Sequence, residues 1–429
     1  MSSSMLFSSM ASSLASRRKN SALRSLHTSP SSSIDFSSND FLSLSTSPLL
    51  RHTYLDALNR TTPSEFRLGS GGSRLLDGNS NFAEELEVDL AEFHGGKSAL
   101  LFNSGFDANS GFFSCVPQRG DVVIHDAYIH ASVHEGLKCS RASHVSSFAH
   151  NSLVDLKRKL QEFSQLDSDI ATGKKNVFVA VESLYSMDGD LAPLREIVDL
   201  MEEMFPMANG HVIVDEAHSN GLYGEDGRGI ICHLGLEDRV LARLHTFGKA
   251  MACNGAAIIC DPLLREYLIN YARPLIYSTS MSFPSLVAIR SVYTMMKRGV
   301  TRPLVTHLHE LISYLFKQLS SLSVLMIHPQ TKEVLLRLPR EPPPSPIFSL
   351  LTPKPRNLAA HFQAAGLVVR PIVPPTVPQG TERVRICLHA GNTFAEVNML
   401  TQCLRLWLES ETKTTLPSIH GKSLVKPML

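Results

Sequence analysis

Three short apolar runs punctuate the first half of the chain: Asp121-Val-Val-Ile-His125, Val177-Phe-Val-Ala-Val-Glu182 and Val212-Ile-Val-Asp215. Each ends in polar residues, and the segments between them read as helices. Alternation of this kind predicts an α/β fold built on a mainly parallel, doubly wound sheet, whose ligands gather at the carboxyl ends of strands. Asp215 falls at such an end. So does the turn at Ser104-Gly105, where the run Ala99-Leu-Leu-Phe102 stops and a helix is expected to start. Backbone N–H groups and the helix dipole can hold a phosphate there. The turn carries neither GxGxxG nor GxxxxGK[ST], so it indicates neither a dinucleotide site nor a P-loop.

From Ala83 to Phe93 the pattern places Leu86, Leu90 and Phe93 on one helical face. After about residue 285 the texture changes. A Pro-rich stretch, Arg340-Glu-Pro-Pro-Pro-Ser-Pro346, reads as a loop, and Gly366–Ile372 and Arg383–Ile386 read as strands of a small α+β domain. The expected organisation is an N-terminal helix and arm over 1–45, a large domain over 46–285 and a small C-terminal domain over 286–429. With 429 residues and a net charge of +1, the chain can bury a sizeable core but offers no electrostatic case for nucleic acid or an anionic membrane surface. Seven scattered cysteines without a Cys-x-x-Cys pair argue against a structural zinc site and a disulfide framework, so no metal is expected and a reducing compartment fits best. No apolar run approaches the roughly 18 residues of a membrane span.

Asp215 gains meaning from Lys249, in Thr246-Phe-Gly-Lys249, and from His218 three positions later in Asp215-Glu-Ala-His218. A lysine can hold pyridoxal 5′-phosphate (PLP) as a Schiff base, an aspartate can keep its pyridine nitrogen protonated, and a histidine can reach its phenolic oxygen. Taken singly, each has a plainer reading. Most lysines are solvated, most strand-end aspartates cap or terminate, and most histidines are structural. The combined spacing makes those readings poor.

Further motifs occur in order: Ser37-Ser-Asn39-Asp40, Gly69-Ser-Gly-Gly-Ser-Arg74, Ser104-Gly-Phe-Asp-Ala-Asn109, His130-Ala-Ser132, Ser186-Met-Asp-Gly-Asp190, Tyr277-Ser-Thr-Ser280, Pro375-Thr-Val-Pro-Gln-Gly-Thr381 and Arg383-Val-Arg385. From about Leu14 to about Leu408, the series resembles the α-oxoamine synthases, and within them the branch that makes 8-amino-7-oxononanoate for biotin synthesis. The resemblance implies PLP fold type I, a homodimer with shared active sites, and decarboxylative condensation of L-alanine with pimeloyl-CoA. It implies that Lys249 carries the cofactor, Asp215 pairs with its pyridinium, His218 bonds its ring oxygen and His130 stacks on it. The Gly105 and Phe106 amides, Ser186 and Thr246 would hold the cofactor and its phosphate, with Ser278 and Thr279 reaching in from the neighbouring subunit. Asn39 and Arg385 fall where the family binds the amino-acid carboxylate, Thr376 where it contacts substrate, and Arg24 where an opening helix meets the acyl chain. Geometry alone leaves Arg383 and Arg385 equivalent, because both lie on one face of a strand; the resemblance selects Arg385.

The chain departs from the family pattern at Ala83-Glu-Glu-Leu86-Glu87, where His-x-x-Leu-Glu is common, at Asn392 in place of a histidine, and at Met251-Ala-Cys253-Asn254-Gly255 after the lysine. Residues 1–34 are Ser-rich, basic and free of acidic residues. They read as a transit peptide or, preferably, as a short mature helix around Leu14–Arg24. The expected compartment is the cytoplasm, with mitochondrion or peroxisome as alternatives; Pro427-Met428-Leu429 only distantly imitates a peroxisomal tripeptide. Competing functions are another α-oxoamine synthase, using glycine, serine or alanine with a different acyl-CoA or carrier-bound chain, and a non-catalytic subunit of the same fold. Lys249, Asp215 and His218 make the second a poor fit.

Overall fold

A computed structural model describes residues 4–20, 23–26, 28, 30, 32–62 and 66–413. The C-terminal tripeptide lies outside them. The strands are β1 (Ile34–Asp35), β2 (Ser98–Phe102), β3 (Val122–Asp126), β4 (His144–Phe148), β5 (Val177–Glu182), β6 (Gly210–Asp215), β7 (Ala242–Thr246), β8 (Ala256–Cys260), β9 (Ile347–Leu351), β10 (Leu367–Val368), β11 (Arg370–Ile372) and β12 (Arg383–Cys387).

Seven strands form the large sheet in the order β2-β8-β7-β6-β5-β3-β4. β8 runs antiparallel to both neighbours, and every other pairing is parallel. The uninterrupted apolar runs now have a cause. Successive strand residues face opposite sides, and in β5 Val177, Val179 and Val181 join one buried cluster while Phe178 and Ala180 join another. β6 divides the same way, Val212 and Val214 against Ile213. A strand covered on both faces must be apolar at every position. Each such side chain contributes on the order of 1.5–3 kcal/mol by leaving water. Helices Gly105–Cys115 and Ala131–Lys138 pack together against one side of the sheet. Leu194–Met204 covers the other with Leu194, Ile197, Val198, Leu200 and Met201.

The helix read over Ala83–Phe93 spans Asn81–Phe93, is capped by Ser80, and buries Leu86, Leu90 and Phe93. Toward the C-terminus, β11-β12-β9 form a three-stranded antiparallel sheet. β1 pairs in parallel with β10, so the N-terminal arm is stitched to the C-terminal region. The expected division at residue 285 falls inside helix Phe283–Lys297, which packs on Pro48–Arg60 and Asn81–Phe93. At the start of the chain the helix is Met5–Lys19 and buries none of its residues. It stops before Arg24, with Asn20 as its C-cap and Arg17, Arg18 and Lys19 in the last turn, where the helix dipole favours positive charge. No helix among the described residues is long and apolar enough to cross a membrane.

Candidate active site

Parallel strands deliver their carboxyl ends to one edge of the sheet, and the candidate residues collect there. Asp215 is the last residue of β6, Thr246 the last of β7, and Gly105 opens the helix after β2. At that edge opens a cavity of about 800 Å³ lined by, among others, Asn39, His130, Ser186, His218, Lys249, Thr376 and Arg385. That size suits a small-molecule ligand.

Asp215, close enough to act on the charges of Lys249 and His130, is buried, with Oδ1 accepting from the Ala217 amide at 2.9 Å and Oδ2 from Asn109 Nδ2 at 2.8 Å. Asn109 Nδ2 also reaches Ser132 Oγ at 3.0 Å, and Ser132 Oγ lies 2.7 Å from His130 Nδ1. The Ser132 amide donates to that same Nδ1 at 3.2 Å. Nδ1 is therefore an acceptor, and neutral His130 carries its proton on Nε2. Burial lowers the His130 pKa and Lys249 adds to the effect, against the pull of Asp215. Asn109 and Ser132 thus position two candidate residues. They sit inside motifs already picked out in the sequence, yet nothing there assigned them work, because their bonds link distant segments.

His218 is buried with its pKa held well below the usual value, by burial first and then by Lys249, Arg385 and His130. Its Nδ1 has no hydrogen-bond partner among the described residues. Burial likewise lowers the pKa of Lys249, with Arg385 reinforcing it and Asp215 and Glu182 opposing it. Glu182, aligned with Asp215 across β5 and β6, has its pKa raised well above the usual range by burial and by Asp215. No role for Glu182 was read from the sequence.

The two arginines of β12 are separated by the fold. Arg383 is buried, pairs with Asp188, and donates through Nε to Thr381 O at 2.8 Å. Arg385 lines the cavity, donates to Asn39 Oδ1, and leaves its buried Nε unpartnered among the described residues. Gly105 and Phe106 carry the first amides of their helix, which have no intrahelical acceptor. A Cβ on Gly105 would lie 3.4 Å from Thr246 Oγ1, so that hydroxyl sits beside the helix start. Two groups stand apart. Ser278 lines a separate cavity with Arg74, Gly78 and Asn103, and the Thr279 carbonyl accepts from Asn103 Nδ2 at 2.8 Å. Arg24 is exposed and is not among the residues lining the Lys249 cavity.

Residues 31–404 match the family of aminotransferases of class I and II. A relative from Emericella nidulans, an 8-amino-7-oxononanoate synthase, is 49% identical over 390 residues, covering 91% of this chain and 93% of the relative. The chain belongs to that family, in its α-oxoamine synthase branch. An aminoacyl transferase sphA from Aspergillus fumigatus is 36% identical, covering 86% and 80% of the two chains. Among solved structures, a serine palmitoyltransferase from S. paucimobilis with bound PLP superposes with a TM-score of 0.79 at 25% identity, covering 95% of this chain and 99% of that one. This α-oxoamine synthase is a PLP-dependent acyltransferase. Its residues fit that cofactor: a buried imidazole nitrogen without a partner, an anchored carboxylate, an amine of lowered basicity, and free helix amides beside a hydroxyl. No cluster of three or more His, Cys, Asp or Glu among the described residues is arranged to hold a metal.

Proposed function

We propose that this enzyme condenses L-alanine with pimeloyl-CoA, releasing CO2 and CoA and giving 8-amino-7-oxononanoate in biotin synthesis. The observation that carries the reading is the convergence of Lys249, His218, His130 and Arg385 on one cavity, with Asp215 acting on the first and third of them, in a chain 49% identical to a synthase of that name. In this reading Lys249, Asp215 and His218 hold PLP, with its phosphate at the Gly105 and Phe106 amides, Ser186 and Thr246. When bound, PLP supplies an electron sink for charge developing at the amino-acid Cα.

The protein's own groups supply the rest. Lys249, buried and less basic than a free amine, is suited to take the Cα proton and return one later. His130, a neutral flat ring fixed through Ser132, would pack against the cofactor when it is bound. Asp215 is pinned by Asn109 and the Ala217 amide, so its charge stays where the pyridinium would lie. Arg385 presents a guanidinium suited to planar, bidentate capture of the alanine carboxylate, with Asn39 steering it and Thr376 beside the substrate. The separation of Ser278 and Thr279 from the Lys249 cavity supports a homodimer in which each subunit completes its neighbour's site. The cytoplasm is the compartment we propose.

The test is CoA thiol release by purified enzyme with PLP, L-alanine and pimeloyl-CoA. We expect release with alanine, none with glycine or serine, and none from Lys249→Ala. An alanine-induced change in the cofactor spectrum without thiol release would overturn the acyl donor and leave the amino-acid site standing. That result would favour a different acyl chain, a reading given weight by the 36% identity to an aminoacyl transferase.

A further inference from the structure

Behind the wall of the Lys249 cavity, three loops at the carboxyl edge of the sheet meet on one imidazole. His150, in the turn after β4, places Nδ1 2.9 Å from Asp126 Oδ1 and Nε2 2.9 Å from Asp190 Oδ2. Asp126 ends β3 and is fully buried; Asp190 lies in the loop after β5. A neutral imidazole has one N–H and can satisfy only one of two carboxylates, which accept and do not donate. The charged form donates to both. The frame around it is fixed. Asp126 also accepts from the Tyr128 and Asn151 amides at 2.7 and 2.9 Å, and Asn151 Nδ2 donates to Asp190 Oδ2 at 2.7 Å.

Two rings rest on this imidazole. Tyr128 stacks on it with centroids 4.3 Å apart and planes at 23°, and Tyr185 meets it edge-on at 4.5 Å and 90°. Both tyrosines line the Lys249 cavity, beside Ile129, Met187 and Val377. An imidazolium under the face of a tyrosine is held by cation–π attraction as well as by contact.

We propose that His150 is a positioning residue for the acyl substrate: an imidazolium clamped between Asp126 and Asp190 that fixes the Tyr128 and Tyr185 rings as an apolar wall of the cavity. This rests on the acyl-transfer reading above and names the part of the cavity that takes the acyl chain. The charge balance agrees. Burial opposes the charge, yet hydrogen bonds and charges from Asp126 and Asp190 outweigh it and push the His150 pKa up to about 9. The other titratable and charged groups facing the cluster are Asp188 and its partner Arg383 beside Tyr128, and Glu182, whose amide donates to Tyr185 OH at 3.4 Å. Both phenols are pushed upward, Tyr128 by burial and then by Asp188, Tyr185 by burial and then by Asp126. Within the clamp itself, the group that loses its charge as pH rises toward 9 is His150. The clamp is complete below about pH 9 and is lost as pH rises through that value.

The test uses the full chain loaded with PLP and a thioether that cannot react, S-heptyl-CoA, titrated calorimetrically between pH 7 and 10. His150→Phe keeps a ring in the stack and removes the charge. Asp190→Asn, at the half-exposed end of the clamp, serves if the first variant does not fold. At pH 7.5, His150→Phe should weaken thioether binding about tenfold, the scale of one lost charged hydrogen bond. The rise in Kd that wild type shows near pH 9 should be absent from His150→Phe and move to lower pH in Asp190→Asn. The alanine-induced spectral change should keep its affinity within about twofold, and KM for the acyl thioester should rise with kcat little changed. Unchanged thioether affinity, an unmoved pH profile, or parallel loss of the alanine response would each overturn the proposal. So would a wild-type enzyme that responds to alanine and ignores the thioether. A wild type that answers to no amino acid counts instead against the proposed reaction.

Discussion

At the scale of single residues, the most instructive comparison is between Arg383 and Arg385. Two positions apart on β12, they share a face, yet one is buried in an ion pair and the other opens on the cavity. Their loss should be read by different instruments. Arg385→Ala should raise KM for the amino acid by roughly 10- to 100-fold, the scale of a charge-assisted hydrogen bond, with the melting temperature little changed. Arg383→Ala leaves the Asp188 carboxylate unpaired and should cost about 3 kcal/mol of stability in denaturant unfolding. Asn109 makes a third case. It touches no substrate in this reading, but Asn109→Ala leaves Asp215 Oδ2 without its buried donor. At about 1–3 kcal/mol for such a loss, PLP affinity should fall by about 5- to 100-fold, measurable by titrating the apoenzyme. An unaltered affinity would mean that Asp215 needs no anchoring.

At the scale of elements, β7 and the turn after it show why some strands escaped notice. β7 reads Ala242-Arg-Leu-His-Thr246, with three polar residues in five, two of which, Arg243 and His245, precede its last position. Both are buried, and Arg243 donates to His94 O at 2.7 Å, a partner from a distant helix that no local pattern reveals. β4 escaped for the opposite reason: it is an edge strand with mostly exposed side chains. The turn after β7 holds Ala252 at φ 52°, in the left-handed region. The Ala252 amide closes onto Lys249 O at 2.9 Å, so this left-handed residue shapes the lysine turn. A left-handed alanine costs roughly 1–2 kcal/mol, partly offset by the backbone entropy a glycine would lose. Ala252→Gly should therefore stabilise the protein by about 0.5–1 kcal/mol without shifting the cofactor spectrum, as thermal unfolding would record. Other departures from the family pattern are absorbed structurally. Ala83 is buried in helix Asn81–Phe93 and its amide donates to the cap Ser80 Oγ at 3.2 Å, and Asn392 Oδ1 accepts from the His389 amide at 2.9 Å.

At the scale of the whole molecule, one apolar cluster runs from Phe36 through the sheet to Trp407, and a polar knot is set within it. His94 Nδ1 faces Arg228 O at 2.9 Å, its Nε2 faces Tyr293 OH at 2.8 Å, and His245 stacks on it at 3.8 Å. Burial, helped by Arg243 and Arg228, pushes the His94 pKa down to about 3. The unfolded chain takes a proton at that site below about pH 6.5 and the folded chain does not. Stability is therefore lost as pH falls through that range, by about 1.4 kcal/mol per unit for this one group. Relative to wild type, His94→Gln should gain about 2 kcal/mol between pH 7 and pH 5. A constant difference across that range would show that His94 takes up its proton alike in the folded and unfolded chains. The sequence by itself determined the α/β architecture, the strand ends that carry Asp215 and Gly105, and the residue types of a PLP site, because burial on both faces of a sheet and turn chemistry are written in local pattern. It also marked Lys249 and His218 through their spacing from Asp215, and His130 through the motif that carries the family resemblance. Tertiary structure alone decided what Arg383 pairs with, which buried amide anchors Asp215, and how His150 comes to stand between two carboxylates. Those outcomes depend on side chains from segments far apart in the chain meeting at one edge of the sheet, and no local pattern records such a meeting.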